Sequence, residues 1–202
     1  MTAPPEVDDP PTEADDAIVI SESVRRPERF AILYDRYFEE IYRYVAARIG
    51  AEAADDLAAE TFLAAFRKRH TFDAARGAVR PWLYGIATNL VSRHRRGLSR
   101  MLAAFRRLRP PAEEVEAGPE DRVPTKVDAA NVRGPLATAL AGLSAGDRDV
   151  LLLIAVAGLS YDEVAESLGI PPGTVGSRLN RARKRVKAVL GDVNPTIGDA
   201  DG

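Results

Sequence analysis

The 202-residue chain carries 28 basic and 30 acidic residues, a formal net charge of −2, so its overall charge points to no particular polyionic partner. It has no cysteine, which excludes disulfides and thiolate metal sites and is compatible with a reducing compartment. No apolar run approaches membrane-spanning length, and the acidic, proline-bearing N-terminus lacks the form of a signal peptide, so a soluble cytoplasmic protein is expected.

Residues 1–27 are rich in Pro, Asp and Glu and poor in large apolar groups, and read as a disordered acidic tail. A first helical domain is expected over residues 28–108. Phe30, Leu33, Tyr34, Tyr37, Phe38, Ile41, Tyr44, Val45 and Ile49 recur at three-four spacing, the pattern of an amphipathic helix that stops at Gly50. The alanine-rich stretch Ala51 to Lys68 predicts a second helix, with Leu57, Phe62 and Phe66 among its buried residues. Thr71 to Val79, holding Asp73, Gly77 and small residues, reads as a loop. Pro81 then opens a third helix through Trp82, Leu83, Ile86, Leu90 and Val91 into the cluster Arg93-His94-Arg95-Arg96. Leu98, Met101, Leu102 and Phe105 suggest one further short helix.

Charge is unevenly spread along this domain. Up to Glu28 there are eight acids against Arg25 and Arg26, whereas from Thr61 to Arg109 twelve basic residues face the single acid Asp73. Such a block marks a place where a polyanion touches. Residues 109–131 follow as a flexible acidic linker, with four prolines and five acids between Pro110 and Val127. A second domain is expected over residues 132–191, opening with helices at Leu136 to Leu143 and, after the cap-like Ser144, Asp147 to Ala157. Residues 192–202 read as a disordered tail. No strand, internal repeat or long heptad run is apparent, so the fold class is all-α: two small helical domains joined by a linker.

The end of the second domain is the most informative stretch. Ser160 and Glu163 form a capping box ahead of the apolar stripe Val164, Ala165 and Leu168, and Gly169 supplies the stop. A second helix starts near Pro172 and buries Val175, Leu179, Ala182 and Val186. Its other faces carry Thr174, Ser177, Arg178, Asn180, Arg181, Arg183 and Lys184, and no acid occurs from Pro171 to Leu190. This is the build of a helix-turn-helix whose second helix enters the major groove of DNA. Arginine can bond guanine in a bidentate way and asparagine adenine, while the other cations neutralise phosphates. A solvated cationic helix packed through one face is the plain alternative.

Enzyme chemistry finds little support. There is no phosphate-binding glycine loop, nucleophile elbow or metal-ligand cluster, and His70 and His94 are the only histidines. No catalytic, cofactor-binding or metal-binding residue is assigned.

Three motifs in series carry a family resemblance. Ala54-Asp55-Asp56-Leu57-Ala58-Ala59-Glu60-Thr61-Phe62-Leu63-Ala64-Ala65-Phe66 resembles the polymerase-docking stretch of the extracytoplasmic-function sigma factors of bacterial RNA polymerase. Pro81 to Val91 is similar to their promoter-melting helix, and Leu143 to Leu153 with Gly173 to Arg183 to their promoter-reading domain. The resemblance implies an alternative sigma factor. In it, residues 28–108 would be region 2, which docks on core polymerase, and residues 132–191 region 4.

By that resemblance Asp55, Asp56, Leu57, Glu60, Thr61 and Phe62 would meet the clamp of the polymerase's largest subunit. Region 4 would meet the flap of the second-largest subunit. Arg76, Arg80, Trp82, Asn89, Arg93, Arg95 and Arg96 would serve the minus-ten element: the Thr71 to Val79 loop captures an unstacked base while cations hold the melted strand. Thr174, Ser177, Arg178, Asn180, Arg181, Arg183 and Lys184 would read the minus thirty-five element. An anti-sigma protein is the further implied partner. Ala59 departs from the glutamine common in relatives. Two rivals stay open at the level of sequence: a stand-alone helix-turn-helix regulator that never touches polymerase, and a nucleic-acid enzyme that uses Asp55, Asp56 and Glu60 for metal. Trp82 also has the plain reading of a core indole.

Overall fold

The computed structural model describes residues 13–75, 77–108 and 135–190. The described residues form eight α-helices and no strand: α1 (Glu13–Ser23), α2 (Ala31–Ile49), α3 (Ala54–Lys68), α4 (Val79–Leu108), α5 (Pro135–Ala141), α6 (Ala145–Ala155), α7 (Tyr161–Leu168) and α8 (Pro172–Leu190). Short 3-10 turns at Pro27–Phe30 and Arg69–Thr71 complete the order. The chain splits into two compact units, with the main boundary after Val91. The linker expected over residues 109–131, the C-terminal tail and the first twelve residues lie outside the described residues.

In the first unit the apolar spacing of α2 turns Leu33, Tyr37, Ile41, Tyr44 and Val45 inward, where Leu57, Ala58, Phe62 and Ala65 of α3 are also buried. Helix α4 adds Val79, Leu83, Tyr84, Ala87 and Val91. Burying a side chain of this size contributes roughly 1.5–3 kcal/mol. The Tyr44 and Tyr84 rings meet edge to face at 5.2 Å. The Tyr44 hydroxyl lies 2.7 Å from Thr88 Oγ1 and accepts from Arg48 Nη1 at 2.6 Å, so both hydroxyls that enter this core are bonded. Helix α2 ends as expected at Gly50, whose φ of 87° favours glycine. Phe66 is only half-buried, because it sits at the unit's edge with its ring against Phe30.

Two expectations for this unit are corrected. Residues 13–23 are not a disordered tail but the helix α1, which buries Asp16, Val19, Ile20 and Ser23. Its anchor comes from outside its own sequence: the Asp16 carboxylate accepts from Arg36 Nη1 and from the Tyr37 hydroxyl, both on α2. At its other end Arg69 Nε donates to the Ser23 carbonyl at 3.0 Å. The second correction concerns the helix from Val79, which runs unbroken to Leu108 instead of stopping after Arg96. Gly97 follows directly on the expected stop, and Gly85 is the other glycine in the helix. A single interior glycine costs only about 1 kcal/mol relative to alanine, too little to end a run otherwise rich in Arg, Leu, Met and Ala.

The second unit packs α5 and α6 on α8, with Ala139, Leu143, Val150, Leu153, Val164, Val175, Leu179 and Ala182 inside. Val186 is half-buried near the helix end. Ser144 is the N-cap of α6: its Oγ accepts from the Asp147 N–H at 3.2 Å. From the same helix Arg148 donates to the carbonyls of Leu140, Ala141 and Leu143 at 2.7–3.0 Å, satisfying the open end of α5. The capping box of α7 is reciprocal, with Glu163 N–H to Ser160 Oγ at 3.3 Å and Ser160 N–H to Glu163 Oε2 at 2.7 Å. Gly169, at φ 61°, closes the helix in a Schellman turn: Ile170 N–H bonds the Ala165 carbonyl and Gly169 N–H that of Glu166. The turn delivers the chain to Pro172, where α8 begins.

Candidate nucleic-acid and polymerase interfaces

At about 100° per residue, the buried Val175, Leu179 and Ala182 orient α8 completely. Ser177 and Lys184 point directly away from the core, and Asn180 lies to one side of them, toward the flank that carries Arg183; all four are exposed. Thr174, Arg178 and Arg181 occupy the opposite flank, where α6 begins. Arg181 Nη2 donates to Asp147 Oδ1 at 2.9 Å, and its Nε approaches Oδ2 at 3.5 Å. Arg178 lies over Gly146; a Cβ there would come within 2.8 Å of its Nη1. Arg178 and Arg181, three residues apart, are therefore brought together on the side of α8 that adjoins the first turn of α6.

Burial acts to raise the Asp147 carboxyl, yet the hydrogen bonds from Arg181 and Ser144 and the charges of Arg181 and Arg178 outweigh it and hold the group below the usual carboxylate range. The side chain of Asp147 is 13% exposed, against 61% for Arg181. The carboxylate is thus fixed, and the cation extends from it toward water. Sequence reasoning missed Asp147; its place after Ser144 in the first turn signals only a cap.

On α4 the buried face of Leu83, Ala87 and Val91 sends Asn89, Arg93, Arg96 and Arg100 to the opposite side. Their spacing of four, three and four residues makes one exposed stripe, and Trp82, seven residues before Asn89, falls on the same line. Trp82 is half-buried and meets the Phe72 ring at 5.3 Å, edge to face, so its indole is both a packing group and a partly open surface. Arg95 is exposed but stands off the stripe. Arg80 is on the core side, where its Nε donates to Glu40 Oε2 at 3.0 Å beside the Tyr84 hydroxyl. Arg76 lies outside the described residues. In the loop before α4, the Asp73 carboxylate accepts the Ala75 N–H at 3.0 Å.

On α3 the structure divides the expected docking set. Asp55, Asp56 and Glu60 are exposed, while Leu57, Thr61 and Phe62 are interior. Thr61 Oγ1 donates to the Leu57 carbonyl, and the Phe62 ring packs against Tyr34 and Phe38. These three hold the helix and cannot present a surface. The apolar residue that does is Leu63, 48% exposed, on the outward line Asp56, Ala59, Glu60, Leu63 and Arg67. Among the described residues no cluster of three or more His, Cys, Asp or Glu is arranged to hold a metal, and no helix is long and apolar enough to cross a membrane.

A model of the family Sigma-70 region 2 matches residues 33–101, and one of Sigma-70, region 4 matches residues 133–186. The ECF RNA polymerase sigma factor SigL of Mycobacterium tuberculosis is 35% identical over 166 residues, covering 81% of this chain and 90% of SigL. The chain belongs to the extracytoplasmic-function sigma factors. As an alternative sigma factor it directs promoter-specific transcription initiation, and it is not an enzyme. Another relative of this sigma factor, BldN of Streptomyces coelicolor, is 33% identical over 166 residues; the match covers 82% of this chain and 61% of BldN. Among solved structures, CnrH in complex with the cytosolic domain of CnrY aligns at TM-score 0.62 and 25% identity, over 89% of this sigma factor and 99% of that chain. The sigma factor RpoE of Bartonella quintana shares the fold at TM-score 0.60 and 22% identity, over 82% and 98%.

Proposed function

We propose that residues 28–108 act as region 2 and residues 132–191 as region 4, with three partner surfaces. The outward line of α3 docks on the clamp of the polymerase's largest subunit through Asp55, Asp56 and Glu60 around Leu63, a combination suited to a basic, partly apolar partner. The stripe Trp82, Asn89, Arg93, Arg96 and Arg100 tracks the melted minus-ten strand, which needs cations and an aromatic platform. The outward face of α8, Ser177, Asn180 and Lys184 with Arg181 and Arg183 at its sides, reads the minus thirty-five element in the major groove. Region 4 also meets the flap of the second-largest subunit. The observation that carries the reading is the segregation of charge by element: exposed acids on α3, exposed cations on the outward faces of α4 and α8.

An anti-sigma protein is the proposed regulator, a reading supported by CnrH, which was solved with the cytosolic domain of CnrY. The proposed site of action is the cytoplasm, where polymerase works. The test is association with core polymerase followed by transcription. Asp56→Arg on the exposed face leaves the fold intact and abolishes co-purification with core, and Leu63→Asp weakens it without touching the interior. Full core binding by a folded Asp56→Arg variant would defeat the docking face. Sequencing of transcripts made by core with and without the protein separates a sigma factor from a stand-alone regulator.

A further inference from the structure

Arg181 is held by a residue that no sequence motif singles out. Asp147 belongs to a helix rather than a loop, its backbone N–H is bonded to the Ser144 cap, and its side chain is 13% exposed. It approaches the guanidinium through one edge, Nη2 at 2.9 Å and Nε at 3.5 Å. A guanidinium is planar and has a second edge, formed by Nη1 and the outer side of Nη2, with donor spacing that matches a guanine or a phosphate. With its inner edge engaged by a fixed carboxylate, Arg181 keeps that outer edge for another acceptor.

The surroundings fit this use. Gly146 leaves room for Arg178 to lie across the first turn of α6. Two cations beside the positive end of a helix repel it, and Asp147 is the carboxylate in that first turn. As a contribution to stability the pair is weak, because Arg181 is 61% exposed and well screened. Its value lies in orientation: a long side chain loses rotamer freedom on binding, and a fixed partner removes that loss beforehand.

We propose that Asp147 is a positioning residue for promoter reading, gripping the inner edge of Arg181 so that the outer edge meets one base of the duplex upstream element. The proposal rests on the reading that α8 faces that element. It predicts that Asp147 and Arg181 act as one unit in specificity while contributing little to folding.

The test uses the full chain with core polymerase on a promoter library randomised across the upstream element, with Asp147→Asn, Arg181→Ala, Arg181→Lys, the double variant Asp147→Asn/Arg181→Ala, and Asn180→Ala. Asp147→Asn and Arg181→Ala each lower the preference at the same base position by about tenfold, the scale of one bidentate contact, and the double variant loses no more than Arg181→Ala. A general loss of transcription at every position in Asp147→Asn, or an unchanged profile where Asn180→Ala alters it, overturns the proposal. If Asn180→Ala and Arg181→Ala both leave the upstream profile flat, α8 is not the reader and the proposal falls with it. Thermal melting checks folding. Should Asp147→Asn not fold, Arg181→Lys carries the test: it retains the charge but not the two-nitrogen grip, and wild-type preference in that variant overturns the proposal.

Discussion

Removing the Asp16 carboxylate tests whether α1 is held by its buried ion pair. In Asp16→Ala the Tyr37 hydroxyl stays buried and loses its acceptor, at a cost of about 1–3 kcal/mol. Breaking a fully buried ion pair costs about 3–5 kcal/mol, but Arg36 is 21% exposed against 2% for Asp16, so the orphaned guanidinium can swing to water and recover much of that. The net expectation is about 2–4 kcal/mol, roughly 30- to 800-fold in an opening equilibrium. The loss should be local, because α1 is tied down at few points: Asp16, Val19, Ile20 and Ser23 inward, and Arg69 at its end. Amide hydrogen exchange followed by mass spectrometry reads it directly, since α1 peptides lose protection by that factor while α2 peptides retain theirs. Tyr37→Phe, which removes one hydrogen bond and leaves the ion pair, should cost about 1 kcal/mol. Unchanged α1 protection in Asp16→Ala would refute the argument, since the helix would then be held by its apolar face alone.

Burial foremost, with hydrogen bonds to Asp16 and Glu40, pushes the Tyr37 and Tyr84 hydroxyls well above the usual tyrosine range. A folded value above the unfolded one means stability that is complete below about pH 10 and lost above it, so ultraviolet titration should show two tyrosines that ionise only as the protein unfolds. The lowered Asp147 carboxyl works in the opposite sense: its contribution is present above about pH 4 and lost as pH falls through the lower folded value. Asp147→Asn should therefore melt slightly below wild type at pH 7, and the gap should narrow as the pH falls below the usual carboxylate range; a gap that does not depend on pH would show that the charge is not the cause. Gly169→Ala, forced to keep φ at 61°, should cost about 1–2 kcal/mol in denaturant melts, whereas Gly173→Ala, with nothing within 4 Å of its added carbon, should be neutral or stabilising. Equal effects at the two glycines would remove the backbone explanation.

The helix-turn-helix was legible because its signals are local. A Ser160 hydroxyl and a Glu163 carboxylate satisfy amides within one turn, and Gly169 relieves a steric cost carried by its own backbone, so neither depends on the rest of the molecule. The all-helical class, the placement of Leu33 to Val45 in the core and the outward cations of α8 follow likewise from periodicity, as does the stripe Asn89, Arg93 and Arg96. On α3 the spacing placed Leu57 and Phe62 inside, as they are, but the sequence did not show that Thr61 is interior too or that Leu63 turns out, because a stretch of alanines leaves the apolar stripe without sharp edges.

What only the tertiary structure decided is pairing between distant residues. Asp16 lies in an acidic, proline-bearing stretch whose composition speaks for disorder, and it becomes helical because Arg36 and Tyr37, 20 and 21 residues away, accept it into a buried site. Arg80 and Arg181 look like free cations in sequence, yet Glu40 and Asp147 engage them across 40 and 34 residues. Periodicity tells which side of a helix faces inward, since that depends on the helix alone. The partner a charged side chain finds there depends on how separate helices pack, and backbone geometry within one segment carries no record of it.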